Sequence, residues 1–506
     1  MADRSSGVLL PVFSLPGPYG IGDFGRQARV FAASLAQAGF SSWQVLPFTP
    51  TGYGNSPYQG YSAYAGNPLF ISLDMLADRG LLTREECQTA RFAGDPGFID
   101  YHWLEQNREP LLRCAFSRLD GTERQLIKAF VASEADWIED YALFRVIKRS
   151  QGDQPWWSWK DDKLRQADPL ALARVREQSA EEIAYWYFIE YEFNRQWRCL
   201  KDDLSLAGIE IIGDIPIYVS ADSSDVWANK RYFEMDAQGR FTRVAGVPPD
   251  YFTADGQLWG NPLYNWPVHA AENYDWWVRR IKAGLTTFDY LRIDHFRGFE
   301  SYWAVPYGET TARRGQWNKG PAMALFERLL AAFPDAPIIA EDLGDIDDEV
   351  RRFLLQTGLP GMKVVQFSFN PAASADNRPH LYPRHCVAYS GTHDNTTLAG
   401  WLSHIDPIEH ALVRDYCGDA TCEAVLRCLW MTGAERVIVP AQDLIGLGDT
   451  ARVNIPGTMA GNWRFRLTDD QIDQIDFGHF SRLNTIFGRC PVSLSDSCIS
   501  LHDRDE

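Results

Sequence analysis

The run at residues 287–299, Thr-Phe-Asp-Tyr-Leu-Arg-Ile-Asp-His-Phe-Arg-Gly-Phe, constrains the fold of this chain more than any other stretch. Phe288, Tyr290, Arg292 and Asp294 fall on one face at the strand period of two, and Leu291 and Ile293 fall on the other. Apolar residues on both sides suit a parallel strand covered on both faces. The run ends in an acid, with an arginine two residues earlier on the same face. A guanidinium beside that acid favours its ionised form and lowers its pKa. Taken alone, the stretch reads equally well as a buried ion pair or as a nucleophile at a strand end.

The same pattern, a short apolar run closed by an acid, recurs at 209–214, 337–341 and 386–394, ending in Asp214, Glu341 and Asp394. Each copy is separated from the next by enough chain for a helix or an insertion. In a (β/α)8 barrel the chemistry sits at the C-terminal ends of several strands at once. Four acids at four such ends read as one carboxylate-lined pocket, because acids are seldom buried without partners. The predicted fold is therefore α/β, a (β/α)8 TIM barrel. Its 506 residues are about twice a bare barrel, which implies large insertions.

The predicted strands are 42–47, 67–74, 209–214, 287–294, 337–341, 362–369 (running to Asn370), 386–394 and 436–442, with a helix at 27–38 before the first. Residues 1–75 form the first part of the barrel, with a tyrosine- and glycine-rich substrate loop near 52–64. Residues 76–207 carry helix-type spacing and read as a mainly helical insertion. Residues 208–219 return to the barrel. A second insertion at 220–272 contains the stretch 246–264, so rich in proline and glycine that regular structure is not expected there. Tyr251, Phe252, Trp259 and Tyr264 in it suit a lid, or else a structural cap on the rim. Residues 273–506 complete the barrel, with a turn-rich segment at 452–464 and a final helix near 468–487. No separate C-terminal β-domain fits in what remains.

With 49 basic and 67 acidic residues the net charge is −18, which argues against nucleic acid or an anionic membrane as partner. No apolar run approaches the ~20 residues of a membrane span, and the first residues carry no signal-peptide core. Nine cysteines, without a Cys-x-x-Cys pair, make neither a disulfide framework nor a zinc site. A cytoplasmic protein with free thiols is the simplest account. The clusters Trp156, Trp157, Trp159 and Tyr185, Trp186, Tyr187 are expected to be mostly core, with a minority free to stack on sugar rings.

An Asp and a Glu at two strand ends, with a third acid nearby, match retaining glycoside chemistry, which needs the two carboxyls about 5–5.5 Å apart. Arg292 makes Asp294 the better nucleophile. Glu341 becomes the acid/base, with a pKa raised by burial and nearby charge. Asp394 is left to grip ring hydroxyls. One rival is a metal site drawn from His295, His393, Asp294, Glu341, Asp342 and Asp394, although no histidine pair has helical ligand spacing. Another is a non-catalytic glucan-binding protein, which would be expected to have lost an acid.

Six motifs then carry a resemblance: Ser-Pro-Tyr-Gln at 56–59, Gly-Asp-Ile-Pro-Ile at 213–217, Pro-Pro-Asp-Tyr at 248–251 with Gly-Gln-Leu-Trp-Gly-Asn-Pro at 256–262, Arg-Ile-Asp-His-Phe-Arg-Gly at 292–298, Ala-Glu-Asp-Leu-Gly at 340–344 and Gly-Thr-His-Asp-Asn at 391–395. With these the chain resembles the 4-α-glucanotransferases (amylomaltase, or disproportionating enzyme) of the α-amylase superfamily. The resemblance implies Asp294 as nucleophile, Glu341 as general acid/base and Asp394 as transition-state stabiliser. It places Asp214, Arg292, His295 and His393 around the glucose subsite, and makes Ser56, Tyr58, Asp250, Gln257, Trp259 and Asn462 further glucan contacts. It also implies a lid around Trp259, α-1,4-glucans and glucose as partners, and no cofactor. Asn370 and Thr396 depart from the residues many relatives carry there. The acids alone do not separate transfer from hydrolysis, so an α-1,4-glucan hydrolase remains the alternative.

Overall fold

A computed structural model describes residues 4–249, 254–371, 377–458 and 460–490. Among them are twelve strands: β1 (Ser5–Leu9), β2 (Ser42–Gln44), β3 (Glu210–Pro216), β4 (Arg243–Val247), β5 (Gln257–Pro262), β6 (Tyr290–Asp294), β7 (Ser301–Pro306), β8 (Gln316–Lys319), β9 (Ile338–Ala340), β10 (Gly361–Val364), β11 (Cys386–Tyr389) and β12 (Arg436–Pro440). Eight of them pair in the order β10-β11-β12-β1-β2-β3-β6-β9, every pair parallel. The two ends of the ladder meet where the Ala340 amide donates to Pro360 O at 2.9 Å. The sheet thus curls into the expected (β/α)8 barrel.

Period-two alternation sorts the strand side chains. Leu9, Ile212, Ile339, Met362, Val364, Val387, Tyr389 and Ile438 pack together inside the barrel with Tyr290 and Leu343. Their neighbours Val8, Trp43, Ile211, Leu291, Ile293, Val437 and Val439 join the larger core under the helices. At the N-terminal end Arg436 lies 4.0 Å over the Tyr290 ring and donates to Ser42 Oγ (2.6 Å) and Glu210 Oε2 (3.1 Å). That end is plugged and its charges are satisfied, so the free polar chemistry gathers at the opposite mouth.

Three strand assignments need correcting. The barrel begins at Ser5–Leu9, and 67–74 is not a strand. Asn67 instead accepts the Leu69 amide and starts a 3-10 turn at Pro68–Phe70, followed by a helix at Leu73–Asp78. Proline and the Asn side chain together favour that turn over a ladder. The strand expected to run to Asn370 stops at Val364, and a 3-10 turn covers Val365–Ser368. The expected final helix is two helices, Asp469–Asp473 and Phe477–Ile486, the second capped by Asp476.

The described parts of the stretch 246–264 are more regular than its composition implies. β4 and β5 pair antiparallel with a bulge between Val244 and Gly246, and β7 and β8 extend them into a four-stranded sheet, β5-β4-β7-β8. Gly246 permits the pairing, because a Cβ there would lie 2.6 Å from Gln257 O. The insertion at 76–207 is helical and ends in the 27-residue helix Ala180–Leu206. Phe193 and Trp197 of that helix lock onto the barrel through Phe24, Phe48 and Phe288, with ring centroids 4.8–5.1 Å apart for the tightest contacts. Among the described residues no helix is long and apolar enough to cross a membrane.

Gly213 sits directly before Asp214, and a methyl there would lie 2.1 Å from the Phe288 ring. Gly213→Ala is expected to cost about 1–3 kcal/mol by overpacking. The measurement is a urea unfolding midpoint that falls while the slope stays constant.

Candidate active site

Asp214 on β3 and Arg292 and Asp294 on β6 point into the barrel because they share the parity of Ile212 and Tyr290. Arg292 Nη1 donates to Asp214 Oδ2 at 2.5 Å, and Nη2 donates to Asp294 Oδ1 at 2.9 Å. Asp214 Oδ2 also accepts the Tyr58 hydroxyl at 2.9 Å, whereas its Oδ1 is buried with no partner. Asp214 and Arg292 are buried, while a quarter of the Asp294 side chain (26%) is open to the mouth. The guanidinium thus fastens a buried acid to an accessible one.

Glu341 follows β9 and is held by main-chain donors, His295 N to Oε2 at 2.7 Å and Leu343 N to Oε1 at 2.8 Å. His295 is the residue after Asp294 and adopts a left-handed backbone, φ 53° and ψ 48°. This conformation costs a non-glycine residue about 1–2 kcal/mol. It turns the amide onto Glu341 and so brings the two carboxyls onto one cleft. Asp394 lies on the turn after β11 rather than at its end. Its Oδ1 accepts Asn454 Nδ2 at 2.6 Å, its Oδ2 is 3.3 Å from His393 Nε2, and Arg452 donates to its carbonyl at 2.6 Å.

Aromatic faces surround these acids. Tyr58 stacks on His393 with centroids 5.2 Å apart, and Trp463 backs both rings at 5.8 and 6.0 Å. Trp259 meets His295 edge-on at 4.7 Å, and Tyr218 lies 6.4 Å from Trp259. Gln257 accepts the Trp259 indole N–H at 3.2 Å. Ser56 caps the turn that presents Tyr58, accepting its amide at 3.2 Å. Asn462 folds back within its own loop, accepting Ile455 N at 3.0 Å and donating to Thr458 O at 3.1 Å. Asp250 lies outside the described residues. Asn454, Arg452, Tyr218 and Trp463 were not singled out from the sequence. The turn-rich run at 452–464 was the available signal for three of them.

Burial sets the electrostatics. It pushes the Asp294 carboxyl well up, Arg292 pulls it down, and the charges of Glu341, Asp214 and Asp394 add to the rise. The expectation that Arg292 leaves a net lowering is therefore corrected, because desolvation outweighs one guanidinium already shared with Asp214. Burial likewise raises Glu341, against Arg292 and the two amides. It lowers His393, and it takes His295 down to about 3, so both imidazoles are neutral near pH 7. Neutral imidazoles can exchange hydrogen bonds with uncharged hydroxyls. Among the described residues no three His, Cys, Asp or Glu side chains are grouped to hold a metal ion.

Tyr58→Phe removes one donor to a buried carboxylate and keeps the stacked ring. An about tenfold lower kcat/KM is expected, the size of one hydrogen bond to a charged group, with little change in thermal stability. Steady-state kinetics alongside a melting curve test it.

The family model described as 4-alpha-glucanotransferase, glycoside hydrolase family 77, matches residues 10–472. The 4-alpha-glucanotransferase of Thermus thermophilus is 44% identical over 488 residues, covering 93% of this chain and 96% of the relative. That of Clostridium butyricum is 42% identical over 486 residues, covering 95% and 99%. An amylomaltase from Streptococcus agalactiae, solved in complex with acarbose, superposes with a TM-score of 0.94 at 38% identity, over 96% of this chain and all of its own. A Corynebacterium glutamicum amylomaltase, 18% identical with a TM-score of 0.76, shares the fold. Matched along nearly its whole length by the family model and by these relatives, the chain belongs to the 4-alpha-glucanotransferase family.

Proposed function

We propose that Asp294, Glu341 and Asp394 divide between them the retaining 4-α-glucanotransfer that belongs to this family. Asp294 attacks the anomeric carbon of an α-1,4-linked glucan through Oδ2, since Oδ1 is held by Arg292. Glu341 protonates the departing glycosidic oxygen, and a glycosyl ester forms on Asp294. The 4-hydroxyl of a second glucan, or of glucose, then gives its proton to Glu341 and displaces Asp294, which restores the α-linkage. Asp394, aimed by Asn454 and His393, grips ring hydroxyls as positive charge develops.

The observation that carries this reading is the junction at residues 292–295. Arg292 holds Asp294, and the next amide holds Glu341. The pair cannot both ionise freely at close range, so it shares protons. Burial raises both carboxyls, so the pair holds a proton between them; the proposed chemistry uses it on Glu341, while the guanidinium bond supports the charge on Asp294. Arg292 and Asp214 form the floor of the donor subsite, with His295 and His393 beside it. Tyr58, Trp259 and Gln257 extend the contacts along the glucan, together with Ser56, Asn462 and Asp250. The substrate is a neutral glucan chain handled in the cytoplasm, in keeping with a net charge of −18 that repels nucleic acid and anionic membranes.

Transfer rather than hydrolysis requires that a sugar reach the ester before water does. Tyr218 and the Trp259 indole, packed beside His295, supply an apolar wall for that purpose. Incubation with maltotriose is expected to give glucose and longer oligosaccharides without a steady rise in reducing ends; such a rise would mark a hydrolase. Asp294→Asn is expected to abolish turnover with the fold intact, and a variant keeping most activity would refute the nucleophile. Trp259→Ala is expected to raise the KM for glucans and the ratio of hydrolysis to transfer at nearly unchanged stability. A large fall in melting temperature would make that strand a structural cap instead.

A further inference from the structure

The loop that delivers Tyr58 is anchored far from the catalytic acids. Its neck closes where Asn67 N donates to Phe48 O at 2.7 Å, and Gly66, next to the neck, presses against the long helix Ala180–Leu206. A Cβ at Gly66 would lie 2.2 Å from the Phe193 ring, so the backbone must lie directly on that helix. There the Gly66 amide donates to Glu190 Oε2 at 2.9 Å. Glu190 is only 2% exposed, and its other oxygen, Oε1, is buried with no partner. Nothing in the chemistry above uses this acid.

A cavity of about 100 Å³ explains why it matters. Glu190, Trp137 and Gly66 line it, together with Tyr58 and Asp214. Glu190 and Asp214, each with one buried oxygen that has no partner, thus line the same cavity. Of the charged and titratable groups around Glu190, Arg145 and Tyr141 come from the helix Ile138–Ser150, Glu134 precedes that helix, and Tyr58, Tyr64, Asp214, Tyr218 and Arg280 share the cavity. No cation bonds the Glu190 carboxyl among the described residues.

We propose that Glu190, as a neutral carboxylic acid, is a positioning residue for glucan binding, holding the Tyr58 loop against the helical insertion, and that its ionisation releases the loop at alkaline pH. The inference rests on the assignment of Tyr58 and Asp214 to the substrate site. Burial raises the Glu190 pKa to about 8, against the Gly66 amide and Arg145. Below that value the acid is neutral and the Gly66 bond is made at no electrostatic cost. Above it, a buried charge with one bare oxygen stands near Glu134 with no cation bonded to it, and the seam between loop and helix must open to hydrate it. The sign follows from linkage. A carboxyl whose pKa is raised by folding contributes most below its unfolded value, and that contribution is lost as pH rises through the folded value.

The test is calorimetric titration of maltotriose into Glu341→Gln protein, which removes turnover and the Glu341 proton. Affinity is expected to weaken about tenfold, the free energy of one pKa unit, between about pH 6.5 and about pH 9.5 with its midpoint near 8. Adding Glu190→Gln, whose amide oxygen still accepts the Gly66 N–H, is expected to leave affinity at the lower pH within about twofold and to flatten the pH dependence. Adding Glu190→Ala instead is expected to weaken binding at both pH values. The proposal is overturned if the Gln variant keeps the pH dependence, or if the Ala variant binds as tightly as its parent. Failure of the Glu341→Gln protein to bind maltotriose even at the lower pH would overturn the substrate-site assignment, and this inference with it.

Discussion

One guanidinium organises the mouth of this barrel. Arg292 is buried and bonded to two acids from adjacent strands, Asp214 below and Asp294 above. Neither acid could keep its place without the arginine, since breaking a buried pair costs about 3–5 kcal/mol. The arginine is in turn committed to charge compensation and does not bring Asp294 back to an ordinary carboxylate pKa. The outcome is a partly open acid whose charge is supported by one guanidinium and opposed by burial.

That arrangement depends on how the barrel disposes of its polar groups. The N-terminal end is closed by Arg436 across Tyr290, Ser42 and Glu210, and the lumen above is largely apolar. Only the C-terminal mouth is left with acids of unequal exposure, and there the insertions supply what the strands cannot. The helix Ala180–Leu206 supports the Tyr58 loop from behind, and the small antiparallel sheet sets Trp259 against His295. The strained backbone at His295 links the two halves, because its amide is spent on Glu341 rather than on the barrel ladder.

Much of this was legible along the chain. Alternation within 287–299 put Arg292 and Asp294 on one face and Leu291 and Ile293 on the other, as found. The repeated apolar run ending in an acid located β3, β6, β9 and β11, with the four acids at or near their C-terminal ends, and the motifs named the family. The first strand was not legible: Ser5–Leu9 holds two large apolar residues and pairs with Arg436–Pro440, more than 400 positions away. Nor was the sheet containing β4 and β5, where glycine and proline permit a bulged pairing that their frequencies in turns conceal. Asn454 and Arg452 were hidden for a related reason. Their role is to orient Asp394 from 58 and 60 residues downstream, and local spacing carries no trace of it.

The sequence by itself determined which side chains of the strand at 287–294 share a face, which acids lie at or near the strands' C-terminal ends and which chemistry they suit, because parity and residue type are local properties. Only the tertiary structure decided the protonation balance, since burial competes with Arg292 and burial is a property of the assembled barrel. It alone decided, too, that an acid on a distant helix, Glu190, shares a cavity with Asp214. Local pattern fixes direction along a strand; distance between strands, and the solvent excluded there, come from closure.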